Sequence, residues 1–241
     1  MPEQPTTSPP IFTYLDSGIP VRSNEHMAIV QRGSMSPSQG AEFMSEGLRR
    51  GHRCCCVAPA TLRPRFLKQL RDRGIEVERH LDDQTLKFPW AARGEGELMD
   101  WGKRFFAEAE TARNPGVRWW EEGVWPNVEG ISTPQFFELH SRLNYLVKQY
   151  PSVALCKYDA EQMEIPNLFS AIAVHRHLLV EGTLVRDNPF YIPAEKFLAM
   201  SPEDRERDLR DVFREVGFDL ERLFAILAGY GELQKTEPPT Y

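Results

Sequence analysis

The stretch Val153-Ala-Leu-Cys-Lys-Tyr-Asp159 is the segment of this 241-residue chain that most clearly predicts a buried strand. A helical apolar pattern follows it, over roughly residues 166–180. Two further apolar runs, His26-Met-Ala-Ile-Val30 and residues 53–58, are each followed by helical spacing as well. Strands that alternate with helices predict βαβ units, and continuously apolar strands are typical of parallel sheets. We therefore expect an α/β fold with a mostly parallel central sheet that helices cover on both faces.

The rest of the chain predicts further elements of the same kind. Helical spacing marks residues 98–109, and Thr133-Pro134 has the composition of a helix start, a cap followed by a proline in the first turn. Further strands or extended pieces are expected at residues 75–79, 84–88, 117–121 and 183–191.

The two ends of the chain differ from this alternating core. Residues 1–24 are rich in proline, threonine and serine, and we expect them to be disordered. Residues 25–200 form the predicted domain. Residues 201–233 are a predicted helical extension, interrupted at Gly217, whose apolar stripes would pack on the core or on a second copy of the chain. Residues 234–241 are expected to be a disordered tail.

Composition and charge limit the classes of function. The net charge is −6 and the pI about 5.6, and no long basic stretch is present, so direct nucleic-acid binding is disfavoured. The sequence lacks the roughly 18 consecutive apolar residues of a membrane helix, and its N-terminus lacks the features of a secretory signal. Three of the four cysteines are adjacent, which suits a reducing compartment. We therefore predict a cytoplasmic protein without a membrane segment.

The loop after the first predicted strand lacks the residues of a phosphate-binding P-loop. Such a loop has four residues between its glycines, followed by a lysine and a hydroxyl residue that contact phosphate and magnesium. Here Gly33 and Gly40 enclose six residues, and Ala41 and Glu42 occupy the next two positions. The acid at position 42 would repel phosphate, so an ordinary loop is favoured over ATP hydrolysis.

Other catalytic and metal-binding signatures are also missing from the sequence. We find no GxGxxG for a nicotinamide cofactor, no GxSxG for a hydrolase nucleophile, and no CxxC or HExxH for zinc. We therefore predict that the chain is not an enzyme and that it has neither a cofactor nor a metal site.

The adjacent cysteines leave two interpretations open. On a strand, Cys54 and Cys56 face one side and Cys55 the other, so one strand offers at most two thiols to a single site. The favoured interpretation is three small buried hydrophobes. The alternative is a soft-metal, haem or redox site assisted by Cys156.

The histidines and tryptophans also allow more than one interpretation. His175 and His177 are two residues apart near a predicted helix end, which favours one packed and one solvent-facing histidine. Trp119, Trp120 and Trp125 cluster around a strand and the loop after it. They are either core residues or an aromatic wall for a flat or apolar ligand.

Several of these segments resemble the MEDS domain, the sensory domain named after methanogens, methylotrophs and the DcmR regulator. The strand Val153-Ala-Leu-Cys-Lys-Tyr-Asp159 resembles its "ALCQYD" strand, with Lys157 in place of the usual glutamine. Arg176 replaces the proline of its histidine–proline pair. Further agreement, in order over roughly residues 24–198, comes from His26, Glu46-Gly-Leu48, Gly51, Trp125, Glu138, Leu143-Asn144, His175 and Asn188-Pro-Phe-Tyr191.

The resemblance implies a RecA/KaiC-like fold whose nucleotide machinery has decayed, and a role in signalling. It suggests small hydrocarbon-like molecules as ligands. MEDS domains usually accompany a helix-turn-helix or kinase-type output, and this chain shows neither. Any output is therefore expected to pass through a regulatory protein partner in trans or through the C-terminal helices.

We therefore predict a stand-alone sensory module that binds a small, hydrocarbon-like molecule at the carboxyl ends of the strands and regulates transcription or signalling through a partner. A homodimer through the C-terminal helices is also expected. One alternative is a nucleotide-binding RecA-like protein or an enzyme with altered phosphate-loop chemistry, for which the candidate acids are Glu42, Glu121 and Asp159. A second alternative is a purely structural interaction protein. The predicted ligand contacts are His26, Trp119, Trp125, Cys156, Tyr158, Asp159 and His175.

Overall fold

The computed structural model describes residues 9–15, 18–33, 37–89, 95–122, 133–214, 216–217 and 219–236. Its strands are β1 (Ile11–Leu15), β2 (Ile19–Arg22), β3 (Glu25–Gln31), β4 (Arg53–Val57), β5 (Leu86–Lys87), β6 (Val117–Glu122), β7 (Ser152–Asp159), β8 (His177–Val180) and β9 (Thr183–Val185). Its helices are α1 (Pro37–Arg49), α2 (Arg63–Asp72), α3 (Val77–Asp82), α4 (Glu95–Thr111), α5 (Thr133–Gln149), α6 (Ile165–Val174), α7 (Ala194–Ala199), α8 (Pro202–Arg214) and α9 (Leu220–Thr236).

A seven-stranded sheet in the order β5-β4-β6-β7-β3-β8-β9 forms the centre of the described chain. Its neighbouring strands pair in parallel, apart from the antiparallel pair β8 and β9. Strand β3 lies between β7 and β8, with Ala28 opposite both Cys156 and Leu178. The predicted α/β fold with a mostly parallel sheet is confirmed.

Two hydrophobic cores lie on the two faces of this sheet. Helices α4, α5 and α6 and the C-terminal helices cover one face, and α1, α2 and α3 cover the other. Cys55 and Cys156 belong to the first core and Cys54 and Cys56 to the second, as the alternation along the strand predicted. Burial raises the pKa of the Cys54 thiol to about 12, and it raises those of Cys55 and Cys56 as well. The adjacent thiols are therefore protonated and pack as small apolar groups.

The predicted strand at residues 75–79 is wrong, because this segment leads into the short helix α3. Gly74 ends α2 with a φ of 76°, and the Ile75 amide then donates to the Leu70 carbonyl. The alternation that suggested a strand comes from Ile75 and Val77, and both are buried in the core under α2. The place beside β4 in the sheet belongs instead to β5, within the short strand expected at residues 84–88.

The predicted helix over residues 166–180 is also wrong in its second half. Helix α6 ends at Val174, and residues 177–180 form β8, which pairs in parallel with β3. The apolar side chains within residues 168–174 and 178–180 are all buried, so periodicity could not separate a buried helix from a buried strand. Of the extended piece expected at 183–191, Thr183–Val185 forms β9 at the edge of the sheet.

Strands β1 (Ile11–Leu15) and β2 (Ile19–Arg22) pair as an antiparallel hairpin, in a segment predicted to be disordered. The hairpin is ordered because it covers Arg118, which is completely buried. The Arg118 guanidinium lies 5.5 Å from the Phe12 ring and pairs with Glu46, which also accepts a hydrogen bond from the Thr13 hydroxyl. The composition of the arm gave no sign of these contacts, because they involve residues far away in the sequence.

The C-terminal extension consists of the two helices α8 and α9, separated around Gly217. Their apolar stripes pack on the core of the same chain: Phe213 stacks on Phe169 of α6, and Gly231 of α9 lies against Thr183 and Leu184. Helix α9 extends three residues into the predicted tail, and residues 237–241 lie outside the described residues. The homodimer expected through these helices stays a prediction.

Among the described residues, none of the helices is both long and apolar enough to cross a membrane.

The buried pair of Arg118 and His52 predicts a dependence of stability on pH. The Arg118 Nε–H donates to His52 Nδ1 at 3.2 Å, so that nitrogen must be unprotonated. Burial, together with the charges of Arg118 and Arg50, lowers the pKa of His52 to about 4. A histidine in the unfolded chain titrates near pH 6.5, so between about pH 6.5 and about pH 4 the unfolded state binds more protons. Stability is therefore lost as the pH falls through this window.

His52→Asn can still accept the hydrogen bond from Arg118 but cannot titrate. The wild type should lose unfolding free energy between about pH 7 and about pH 5, and we expect the variant to lose on the order of 2 kcal/mol less. Urea unfolding at the two pH values measures this difference. Gln149→Asn, which changes an exposed residue at the end of α5 and removes no titrating group, serves as the control and should leave the pH dependence unchanged. The explanation fails if His52→Asn and the wild type lose the same stability on acidification.

Candidate functional site

Four titratable side chains meet inside the core on the face of the sheet that α5 and α6 cover. They are His26 of β3, Cys156 of β7, His140 of α5 and His175, which follows α6. One nitrogen from each imidazole and the Cys156 sulfur lie within 4.8 Å of one another. All four residues are at most 2% exposed. We call these four residues the His/Cys cluster.

The parallel pairing of β3 and β7 brings the first two members together. Cys156 stands opposite Ala28, so His26, two residues earlier on β3, points to the same face of the sheet. The distance between His26 Nε2 and Cys156 Sγ is 3.4 Å. The ring of His175 lies 4.3 Å from that of His26 and 5.1 Å from that of His140, centroid to centroid.

Asn144 fixes the orientation of His26. Its Nδ2 donates to the carbonyls of His140 and Val174, each at 3.1 Å, so its Oδ1 is the acceptor. That oxygen lies 3.2 Å from His26 Nδ1. His26 Nδ1 therefore carries the proton, and the lone pair of Nε2 faces Cys156.

His140 is held between an acid and a phenol. The Glu121 carboxylate lies 3.0 Å from His140 Nε2 and also accepts a longer hydrogen bond, 3.5 Å, from the indole of Trp119. On the other side of the ring, the Tyr158 hydroxyl lies 2.9 Å from His140 Nδ1. Because Glu121 accepts, His140 Nε2 donates and Nδ1 is the lone-pair nitrogen.

His175 contributes the one cluster nitrogen that is left without a hydrogen bond in the described part of the chain. Its Nδ1 donates to the Ala171 carbonyl at 2.6 Å, whereas its buried Nε2 has no partner there. Buried polar atoms are rarely left in this state, because an unpaired group loses its hydrogen bonds to water on folding. The atom therefore marks a place where a ligand or an ion could bind.

The environment keeps three members of the cluster, His26, His175 and Cys156, neutral. Burial lowers the pKa of both His26 and His175, and the neighbouring histidines lower them further. Burial also raises the pKa of the Cys156 thiol and the Tyr158 phenol, and Glu121 adds to the effect. Neutral imidazoles and a thiol that can lose its proton are groups that bind transition metals, and the same groups can hydrogen-bond to a small polar ligand.

The structure brings together four of the seven predicted ligand contacts: His26, Cys156, Tyr158 and His175. Trp119 reaches the cluster through Glu121, and it packs as a core residue against Trp101. That the four contact a ligand stays a prediction.

Two predicted contacts stand apart from this group. Asp159 lies at the carboxyl end of β7, where its Oδ1 accepts from the Glu161 amide, and no contact joins it to the cluster in the described residues. Trp125 lies outside the described residues. The cluster itself lies below the carboxyl edge of the sheet where the ligand was expected, since His26 is the second residue of β3.

Three residues that complete the arrangement were not predicted as ligand contacts. His140 and Asn144 are four residues apart on α5 and so share one face, a signal that the sequence contained. Glu121 was proposed only as a catalytic acid. The interpretation of His175 and His177 as residues of one helix was wrong, because His177 belongs to β8.

A groove of about 480 Å³ lies next to the cluster, where α5 and α6 meet α8. Its apolar lining includes Phe137, which lies one turn before His140 on α5 with its ring centroid 6.3 Å from that of His140. Arg205 on α8 pairs with Glu138 and donates to the Phe197 carbonyl at 2.7 Å, which fixes α8 against α5 and α7. The lining residues are Phe137, Pro166, Asn167, Phe169, Ser170, Phe197, Pro202, Glu203, Arg205, Glu206, Leu209, Arg210 and Phe213.

Comparison with known proteins agrees with the resemblance seen in the sequence. The family model "MEthanogen/methylotroph, DcmR Sensory domain" (MEDS) matches residues 38–176, more than half of the chain. The chain is 24% identical over 161 residues to the transcriptional repressor DcmR of Methylorubrum extorquens. That alignment covers 66% of this chain and 61% of the repressor, so the chain spans about three fifths of the length of this curated relative.

A solved structure shows a related fold. An uncharacterized protein from Pyrococcus horikoshii, crystallised in complex with an unknown peptide, superposes with a TM-score of 0.52 at 11% identity. The match covers 66% of this chain and 78% of that one. At this identity the likeness concerns the fold alone.

The hydrogen bonds of Asn144 predict that the cluster depends on this residue. Asn144→Leu keeps the approximate side-chain volume but leaves His26 Nδ1 without its hydrogen-bond acceptor. The carbonyls that Asn144 contacts also lose its amide as a donor. We expect a loss of about 2–4 kcal/mol of unfolding free energy, measured by urea denaturation, since each buried group left unpaired costs about 1–3 kcal/mol. Gln149→Leu, at the exposed end of the same helix, is the control and should change stability by less than about 0.5 kcal/mol. A similarly small effect of Asn144→Leu would contradict this role.

Proposed function

The chain belongs to the MEDS family of sensory domains, and on that premise we propose that it senses a small, neutral, largely apolar molecule and reports it to a regulatory protein partner. Its family and its similarity to a transcriptional repressor support a sensory and regulatory role. The ligand, its binding in the groove beside α8 and the partner are parts of the proposal.

The observation that carries the proposal is that two parts of the chain share the groove. Helices α5 and α6 lie within the residues that the family model matches, whereas α8 lies after them. Phe169 of α6 and Phe213 of α8 stack with their ring centroids 4.2 Å apart and both line the groove. A molecule bound there would contact the family domain and the C-terminal extension at once.

The lining of the groove indicates the class of ligand. Its volume of about 480 Å³ lies within the range of roughly 300–1,000 Å³ that is usual for small-molecule sites. Four phenylalanines provide apolar surface. The charged residues of the lining, Glu203, Arg205, Glu206 and Arg210, comprise two acids and two bases, so they favour a molecule without net charge. A hydrocarbon-like molecule, as the family resemblance suggested, fits this chemistry.

Transmission of the signal would use contacts that differ between the empty and the occupied groove. A ligand shifts a conformational equilibrium only by its difference in affinity for the two states. Here it would bind between α6 and α8, so it would bias the position of α8. Because α9 follows α8 and packs on β9, a shift of α8 would reach the edge of the sheet as well.

The output is proposed to lie in another protein. The repressor that resembles this chain is longer than the aligned region, and the match leaves part of it unpaired. A regulatory partner in trans, or further residues of a longer protein, would supply the contact with transcription. In this proposal the chain itself performs no catalytic step.

Toluene is a suitable probe of the groove, and Ser170→Trp a suitable variant, because a half-buried side chain at position 170 faces the groove and a larger one would fill it. We expect saturable binding of toluene by NMR. At about ten times its dissociation constant, toluene should raise the thermal unfolding midpoint by roughly 3–6 °C. Ser170→Trp should abolish both effects.

The matched control is Glu110→Trp, which places the same side chain on the exposed surface of α4, away from the groove lining. It should bind toluene like the wild type. Lack of saturable binding by the wild type, or unchanged binding by Ser170→Trp, would refute the groove as the sensing site.

A second test addresses the alternative of a nucleotide-binding protein. Glu42 lies exposed on α1, in the position where a P-loop has the hydroxyl residue that contacts magnesium. We expect Mg-ATP to leave the thermal midpoint unchanged within about 1 °C, because the carboxylate repels the phosphates. A clear, saturable rise would favour the nucleotide-binding alternative.

A further inference from the structure

We propose that the imidazoles of His26, His140 and His175 and the sulfur of Cys156 bind one divalent transition-metal ion of the Zn²⁺ class. This inference goes beyond the proposed function, because the site is separate from the groove and does not require an apolar ligand. It also departs from the sequence-based expectation of no metal. The ligands lie on four different elements, and a spacing motif along the chain could not reveal them.

The distances within the cluster suit a four-coordinate ion. With bonds of about 2.0–2.1 Å to nitrogen and about 2.3 Å to sulfur, the ligand atoms of a tetrahedral site lie about 3.3–3.7 Å apart. His26 Nε2 and Cys156 Sγ, at 3.4 Å, already have this separation. The other ligand atoms lie within 4.8 Å of one another, so side-chain rotations that bring them closer by at most about 1.5 Å are enough.

Each imidazole is also oriented as a metal ligand. One ring nitrogen donates to a fixed acceptor: the Asn144 amide oxygen for His26, the Glu121 carboxylate for His140, and the Ala171 carbonyl for His175. The other nitrogen is left as the free base. Histidines that bind metals almost always have such an outer acceptor, which sets the tautomer and the direction of the ring.

An ion would also provide the partner that the cluster lacks. His175 Nε2 is buried and has no hydrogen bond in the described part of the chain. At His140 the ion would replace the hydrogen bond between Nδ1 and the Tyr158 hydroxyl. The hydroxyl is also within hydrogen-bonding reach of the Cys156 sulfur, so it would keep a partner.

The charges balance when the ion binds. The Cys156 thiol would release its proton to solvent and form a bond from sulfur to the metal, while the three imidazoles bind as neutral bases. The resulting thiolate and the neighbouring Glu121 carboxylate carry two negative charges, which match a divalent cation. The donor set of three nitrogens and one sulfur suits Zn²⁺ and related ions and disfavours Mg²⁺ and Ca²⁺, which prefer oxygen.

The first experiment uses the full chain, stripped of metal with a chelator, and Co²⁺ as the spectroscopic probe. A single equivalent should produce the visible bands of tetrahedral Co²⁺ and a near-ultraviolet band from sulfur to cobalt. Zn²⁺ should then remove both signals and raise the thermal unfolding midpoint of the stripped protein. If wild-type protein gives neither the cobalt bands nor a Zn²⁺-dependent midpoint, the proposal is wrong.

Two cysteine variants identify the sulfur. Cys156→Ala and Cys55→Ala are matched, because each removes a buried thiol from the same hydrophobic core. Cys156→Ala should lose the sulfur-to-cobalt band and bind Zn²⁺ at least about tenfold more weakly, whereas Cys55→Ala should retain both properties. A band that survives in Cys156→Ala, or that disappears in Cys55→Ala, would place the metal elsewhere and overturn the assignment.

A histidine pair completes the design. His175→Asn should weaken Zn²⁺ binding roughly tenfold or more, while His52→Asn, which changes a buried histidine outside the cluster, should not. Equal Zn²⁺ affinity of the two variants would overturn the role of His175 as a ligand. If a variant fails to fold, the cobalt spectrum of the wild-type protein alone tests whether the metal site exists. Toluene binding in the groove is measured separately, so either proposal can fail without the other.

Discussion

The parallel pairing of β3 with β7 is the constraint on which the other features of this molecule depend. The two strands pair continuously from Glu25 opposite Val153 to Gln31 opposite Asp159. This register places His26 on the same face as Cys156, and it sets the positions of β6 and β8 on either side. A shift by one residue would turn the imidazole and the thiol to opposite faces of the sheet. The site and the fold are therefore specified by the same hydrogen bonds.

The His/Cys cluster is a polar group inside a core that is otherwise rich in aromatic and aliphatic side chains. Such a group destabilises a fold unless its atoms are paired. Here all but one of the imidazole nitrogens have a partner, namely an oxygen of Asn144, Glu121, Tyr158 or Ala171, or the sulfur of Cys156. A purely structural core would place apolar side chains at these positions. The departure from that rule, at a point where four elements meet, is typical of a functional site.

Helix α5 connects this cluster with the groove, because it contributes His140 to the first and Phe137 to the second. The C-terminal helices lie on the other side of the groove and belong to the same hydrophobic core as the sheet. The extension is therefore not an independent appendage, and its position depends on the packing of α6 against α8. A domain arranged in this way can couple a change inside its core to a change on its surface.

The sequence by itself determined the α/β class, the mostly parallel sheet, the opposite faces of Cys54 and Cys55, and the helical character of the C-terminal extension. These features follow from local periodicity, which reports burial and the direction of neighbouring side chains. Only the tertiary structure decided that residues 177–180 form a strand, because a buried helix and a buried strand are equally apolar in sequence. The edge of β3 opposite β7 provides the hydrogen-bonding groups with which these residues pair as a strand. It also decided that Ile11–Leu15 and Ile19–Arg22 form paired strands, since Arg118, which they cover, is distant in sequence. It decided as well that His140 and Glu121 join His26 and Cys156, since that meeting depends on how α5 lies across the sheet.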